Sequence, residues 1–443
     1  MLVAWHAPLR AADAPEQVGP SFSFSGIQRT RYETLDPQFR KGFDESDQVL
    51  ALRTSVMFDV KLDALQFYAE IMDSRAMLND ENSYVTGVVN ALEPIQAYVA
   101  WQRKSVFEDG ATSTVRAGRM TLDIGSRRIL ARDPFKNTVT SFLGADWLWQ
   151  DPDGRTARLF YFLPMQTVPD GLEAQLDNDV ELDHATRGSR VIGGYYQFPP
   201  FAGKSVVESY LLDNDTDAPP GNLASAAHWL AAGARAYRTP KPGTWGYEVE
   251  TIWEQGRTGG TVHGVAFSDL AMRAYFAHAE VGYGFERPWR PTLLLQYDVA
   301  SGDRDPNDTS IQRFNTLFGI RRGDFGPTGI FGPFSRANID SPGVRLTFVP
   351  QPRWQAMFSY RWFQLDEARD QWVGSGWSDP TGKSGRSLGK QLESTFIWTA
   401  IEHRLSIETG FALFAAGSYP HLVEGPAFRG DPHYLYLTAT TTF

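Results

Sequence analysis

Tyr434-Leu435-Tyr436-Leu437-Thr438-Ala439-Thr440-Thr441-Thr442-Phe443 closes the chain and reads as one β-strand with two unlike faces. Leu435, Leu437, Ala439, Thr441 and Phe443 fall on one side, and Tyr434, Tyr436, Thr438, Thr440 and Thr442 on the other, because strand side chains alternate with period two. A tilted strand of about ten such residues crosses an outer membrane with its apolar side toward lipid. The terminal aromatic, Phe443, matches the signal by which bacterial outer-membrane proteins reach their assembly machinery. A soluble edge strand would carry the same alternation, so the remaining sequence has to decide between them.

The same period recurs. Leu50, Leu52, Thr54, Val56, Phe58 and Val60 oppose Arg53, Ser55, Asp59 and Lys61. Ile95, Ala97, Val99 and Trp101 oppose Gln96, Tyr98 and Gln102, and Tyr247, Val249, Thr251 and Trp253 oppose Glu248, Glu250 and Glu254. Runs ending at Val299, Phe348, Trp362 and Leu413 repeat the pattern. Asp63-Ala64, Pro352-Arg353 and Glu402-His403 read as short turns, whereas Asp213 to Asn222, Asp303 to Asp308 and Ser375 to Lys390 read as long polar loops. Short turns at one end and long loops at the other predict an all-β fold, a single antiparallel transmembrane β-barrel of roughly 16 to 18 strands. The barrel is expected over 21–443, with 1–20 as an N-terminal segment in which Ala12-Asp13-Ala14 fits the end of a signal peptide.

Composition agrees. The 443 residues are 42% hydrophobic and mean hydropathy is below zero, as expected where lipid-facing and lumen-facing residues cancel in any average. No window approaches the roughly 18 apolar residues of a membrane helix; the nearest, Leu223 to Ala236, is broken by His228 and Arg235. Aromatics make up 13%, which suits strands and interfacial girdles, and Trp229, Trp245, Trp289 and Trp362 read as such a belt. There is no cysteine, so disulfides, thiolate metal sites and cysteine catalysis are excluded. A net charge of −10 argues against nucleic acid as a partner.

The polar strand faces carry Arg53, Arg116, Arg235, Arg273, Arg345, Arg361 and Arg404, with Lys61, Glu248, Glu250 and Glu408. In a barrel those positions point into the lumen. Guanidinium groups stay charged and bind carboxylates bidentately, so a ladder of them concentrates anions and hands them along. A charged lumen common to all barrels is the plainer reading of the same residues.

Several segments resemble the alginate export family of outer-membrane barrels. Gly118-Arg119-Met120-Thr121-Leu122-Asp123-Ile124-Gly125-Ser126-Arg127-Arg128 continues through Ala131-Arg132-Asp133-Pro134-Phe135. Asp298 to Asp308, Phe314 to Gly319 and Phe325-Gly326-Pro327-Thr328-Gly329-Ile330-Phe331-Gly332-Pro333 follow in the family's order, and Glu70 to Arg75 fits near the amino end. The resemblance runs from about residue 29 to the terminus. It implies a barrel of roughly eighteen strands with an arginine-lined, anion-selective pore for an acidic polysaccharide such as alginate. It also implies Arg75, Arg119, Arg127, Arg128 and Arg132 as pore-lining or constriction groups. The chain is shorter than the alginate exporter and its loops differ, which leaves a sibling porin for small or anionic solutes as the alternative.

The expected partners are outer-membrane lipid and lipopolysaccharide, an anionic polysaccharide or small anionic solute, the assembly machinery through Phe443, and periplasmic export partners. No cofactor or metal is expected. Gly385-Arg386-Ser387-Leu388-Gly389 matches the nucleophile pattern but lacks the strand before and helix after that it requires. Under the competing hydrolase reading Ser387, or Glu248 with Glu250, would be the candidates; a soluble carbohydrate-binding protein is the third. Alternating Asp213, Asp215 and Asp217, and Asp303, Asp305 and Asn307, lack the glycine and distal glutamate of a calcium loop. The histidines, His263, His278 and His403 among them, show no metal-ligand spacing. No nucleotide-binding P-loop is present.

Overall fold

The computed structural model describes residues 19–443 apart from 44, 80–86, 187, 202–203 and 220; Ala12-Asp13-Ala14 lies outside the described residues. Eighteen antiparallel strands form the wall. They are β1 Ser21–Asp36, β2 Asp47–Leu62, β3 Leu65–Met77, β4 Asn90–Lys104, β5 Thr112–Met120 and β6 Phe142–Gln150. Next come β7 Thr156–Gln166, β8 Ser189–Gln197, β9 Val206–Thr216, β10 Ala227–Arg238, β11 Trp245–Val262 and β12 Val265–Gly284. The last six are β13 Thr292–Ala300, β14 Ile339–Gln351, β15 Trp354–Gln364, β16 Ser387–Ile401, β17 Leu405–Ala416 and β18 His433–Thr442. Each strand pairs with the next in sequence, and β1 pairs with β18 from Ile27↔Thr442 to Asp36↔His433, so the sheet closes on itself. Closure leaves no unpaired edge, the condition for a sheet to sit in lipid.

Phe443 extends the closing strand: its amide donates to Gly26 O (3.0 Å) and its carbonyl accepts from Gly26 N (2.7 Å). Leu435 and Leu437 are exposed on the outer face while Tyr434 and Tyr436 are buried inside, as the terminal alternation predicts. Outward aromatics pair across strands, with Trp245–Tyr283 at 5.2 Å and Trp253–Tyr275 at 5.7 Å between ring centroids. At ~3.3 Å per residue and ~40° of tilt these pairs stand about 20 Å apart along the barrel, near the height of an outer-membrane apolar band.

The short turns, including Asp63-Ala64 and Pro352-Arg353, share the end where β1 begins and β18 finishes. The other end carries the long connections, among them 121–141, 167–188, 301–338 and 365–386. By the outer-membrane rule the first end is periplasmic and the second extracellular. The β11–β12 hairpin turns in two residues there, but its strands are about twice the length that crosses a bilayer, so it projects outward.

Three readings change. Ile95 is buried rather than outward, because a β-bulge between Gln96 and Pro94 moves it across the face, where it meets Met72 and Val139. Trp229 faces inward at 1% exposure and is no part of the belt; Trp245, Trp289 and Trp362 are exposed. Leu223 to Ala236 is, as expected, no membrane helix but mostly strand, and among the described residues no helix is long and apolar enough to cross a membrane. Ser387 opens β16 rather than lying in a loop.

Candidate functional site

Two long loops fold back into the lumen and occupy part of it. Loop 121–141 and loop 301–338 meet in a short parallel ladder, with Phe318 N donating to Ile129 O (3.0 Å), Ala131 N to Phe318 O (3.1 Å) and Ile320 N to Arg127 O (3.0 Å). Both loops bury aromatics against the wall. Phe334 stacks on Phe363 (3.5 Å) and Phe331 on Tyr434 (5.0 Å), while Phe318 meets Phe142 edge-on (5.1 Å). The upper lumen therefore holds a packed core instead of water.

Inward guanidinium groups grip the backbone of these loops. Arg29 donates to Pro134 O (2.6 Å) and Lys136 O (2.9 Å), and Arg53 to the same carbonyls at 3.3 and 2.9 Å. Arg31 bonds Phe135 O and pairs with Glu33 (2.7 Å). From the neighbouring wall of β14 to β16, Arg345 donates to Gly323 O, Arg361 to Asp324 O (3.1 Å) and Gln391 to Phe325 O (3.2 Å). Arg322, in the one-turn helix Arg322–Phe325, reaches Glu393 (2.5 Å), Glu408 (3.3 Å) and Tyr436 Oη (2.7 Å).

Below these loops, toward the short-turn end, lies a cavity of about 140 Å³. Arg29, Arg31, Arg53, Arg127 and Arg322 line it against one carboxylate, Glu408, and Thr438, Thr440 and Thr442 continue its wall along β18. Among the described residues Arg29 and Arg53 form no ion pair; carbonyl oxygens and Asn137 are their partners. Carbonyls satisfy guanidinium hydrogen bonds without cancelling the charge, so the cavity keeps a positive potential.

The structure separates the sequence candidates. Arg53 and Arg127 line the cavity. Arg345 and Arg361 also face inward but are buried beneath the loops, and Arg128 is buried within loop 121–141 itself. Arg116 pairs with Asp146 (2.7 and 2.6 Å), Arg235 with Glu248 (2.7 Å) and Glu208 (3.2 Å), and Arg132 with Glu70 (2.6 Å). Arg119 is buried between Glu93 and Asp183. Three expectations are corrected. Arg75 sits on the outer face paired with Asp73 (3.0 Å). Arg273 is exposed on the outer face of β12, two positions beyond Tyr275, where the projecting hairpin has left the lipid band. Arg404 lies exposed in the turn before β17. Alternation alone gives a residue's side but not its height, and charge outside the band needs no lumen.

The sequence reading missed Arg29, Arg31 and Arg322. Arg29-Thr30-Arg31 carries its two arginines on one face of β1 with Glu33, a signal that was present. Arg322 had none, since its position depends on how a loop folds.

An eighteen-stranded closed barrel whose loops narrow its own lumen is an outer-membrane channel. Residues 21–422 match the sequence profile described as Alginate export, and the chain belongs to that family. No curated protein matches it. Among solved structures it is similar to OccAB1 of Acinetobacter baumannii, with TM-score 0.62, 12% identity and coverage of 95% of this chain and 96% of that one. OpdK of Pseudomonas aeruginosa gives 0.59 and 14%, covering 96% and 98%, and OccK8 (OprE) of the same organism 0.60 and 10%, covering 95% and 98%. At these identities the likeness is one of fold. The barrel thus resides in the bacterial outer membrane.

Proposed function

We propose that this channel is anion-selective and passes small organic anions, carboxylates foremost, through the cationic cavity beneath the two infolded loops. The observation that carries this reading is the lining of five arginines against Glu408 alone. A carboxylate entering the cavity exchanges its water shell for guanidinium donors, and it gains in a confined space what it would not gain in bulk water. Of these donors Arg29 and Arg53 have neutral partners, while Arg31, Arg127 and Arg322 also pair with Glu33, Asp123 and Glu393. Size favours a small solute, because the lumen above the cavity is filled by loops 121–141 and 301–338. OpdK has been crystallised with vanillate, and a small aromatic or sugar acid suits the charge and room here as well.

Membership of the Alginate export family favours a second solute, an acidic polysaccharide. A polymer requires the two loops to yield, whereas a monomer does not. Direction follows the gradient and any periplasmic partner.

Reversal potential in a KCl gradient across a planar bilayer tests selectivity. Wild type is expected to prefer chloride, and Arg29→Gln with Arg53→Gln to lose most of that preference while conductance persists. Unchanged selectivity in the double variant overturns the cavity as the filter. Block by a monouronate at lower concentration than by polyuronate, per sugar unit, supports the small-solute reading; the reverse order supports the polymer.

A further inference from the structure

Above the cavity lies a buried ionic cluster that anion passage does not use. His278, on the inner face of β12, is 2% exposed. Its Nδ1 lies 2.7 Å from Asp298 Oδ1 on β13, and its Nε2 has no hydrogen-bond partner among the described residues and lies 4.0 Å from Glu248 Oε1 on β11. A neutral imidazole donates from one nitrogen only, and its other lone pair would then face a second carboxylate. An imidazolium donates to Asp298 and turns its second N–H, and its positive charge, toward Glu248.

The surroundings make the proton count. Glu248 and Glu250 face the ring's neighbourhood from β11, Asp298 from β13, Arg345 and Arg361 from β14 and β15, and Glu280 follows on its own strand. Loop 121–141 contributes Arg128, and loop 301–338 contributes Asp324 and Arg336. The side-chain ligand atoms of His278, Asp298 and Asp324 lie within 4.8 Å of one another. Ion pairs join Arg128, Arg235 and Arg336 to Glu208, Glu248, Glu250 and Asp324, and Arg361 pairs separately with Asp298, with His278 between the two groups. These pairs hold four cations against five carboxylates, and Arg345 keeps a fifth positive charge beside them; what favours the imidazolium is its place between Asp298 and Glu248. Arg345 faces the loop but bonds the Gly323 carbonyl and enters none of these pairs. A bound cation is a poor alternative, since the oxygens of Asp298 and Asp324 are already held by His278, Arg361, Arg128 and Arg336.

We propose that His278 is a proton-operated latch on the lumen segment Arg322–Phe325. Of the five carboxylates in the cluster, only Asp324 is carried by a loop; the other four stand on wall strands. Loss of the imidazole proton removes a positive charge from between Asp298, Glu248 and Asp324, and of these three the group that can retreat is the loop-borne Asp324. The protonated form holds the constriction closed and the neutral form loosens it. The latch rests on the channel fold and is independent of which solute passes.

Single-channel conductance in symmetric KCl, recorded between about pH 5 and pH 8, tests this. Conductance is expected to rise with pH in wild type. His278→Gln should hold the high-pH value throughout, and His278→Lys the low-pH value. Glu248→Gln removes one of the two carboxylates flanking the ring, so it should move the wild-type step to lower pH; this variant keeps the test open should substitutions at His278 fail to fold. A wild-type step that persists in His278→Gln, or a Glu248→Gln step at the wild-type position, overturns the latch.

Discussion

Glu33 on β1 is wholly buried, and its carboxylate accepts from Tyr434 Oη (2.8 Å) and Ile330 N (3.0 Å) while pairing with Arg31. One side chain thereby ties the closing strand, an infolded loop and the cavity wall together. Gly329 comes so close that a Cβ there would lie 1.9 Å from Glu33 Oε2, and its φ of +39° is left-handed. Gly329→Ala should therefore cost about 1–3 kcal/mol through overpacking and backbone strain, read by urea unfolding in detergent. Gly323→Ala, where a Cβ meets nothing within 4 Å, should leave the midpoint in place. At the extracellular mouth burial pushes the Asp303 carboxyl up to about 6, with Asp370 adding to the effect. A carboxyl raised in the folded state favours folding below its unfolded value, and that advantage is lost as pH rises through about 6. Hydrogen exchange over 303–308 should accordingly quicken between about pH 4 and pH 7 beyond its chemical rate, and Asp303→Asn should remove the excess. At this scale the sequence announces which residues carry charge; it does not announce their partners. Arg53 and Arg361 look alike in an alternating run, yet one borders the cavity and the other is buried against Asp298.

Strands were legible and loops were not, for a physical reason. A strand's period of two follows from backbone geometry, so Leu435 and Tyr436 betray their faces locally. The path of a long loop depends on distant groups that satisfy its backbone, as Arg29 and Arg53 do for Pro134 and Lys136. The segments carrying the family resemblance, 118–135 and 298–333, lie largely in the two infolded loops and the strand ends they leave. They had been read mainly as a source of pore-lining arginines. In the fold Arg128 instead anchors one loop to the other through Asp324 (2.9 and 3.0 Å). The nucleophile-like Gly385 to Gly389 shows the same limit, since it marks only the entry into β16.

For the whole molecule the decisive claim is closure, and the absence of cysteine makes it directly testable. Thr30 on β1 is opposite Ala439 on β18. Thr30→Cys with Ala439→Cys should form a disulfide in the folded barrel and give a reducible mobility shift on a denaturing gel. Thr30→Cys with Thr440→Cys, one register step away and on the opposite face, should form little. Equal cross-linking in both pairs would contradict the register.

The seam between β1 and β18 is also held from inside. Loop 121–141 is gripped by Arg29 and Arg31 of β1, and loop 301–338 lays Phe331 on Tyr434 of β18. These two loops are bonded to each other through Phe318 and Ile129. Zipping the wall shut and stoppering the bore are consequently one event: a nascent barrel still gaping at this joint would also be unplugged, and no wide open tube need ever stand in the membrane on the way to the finished channel.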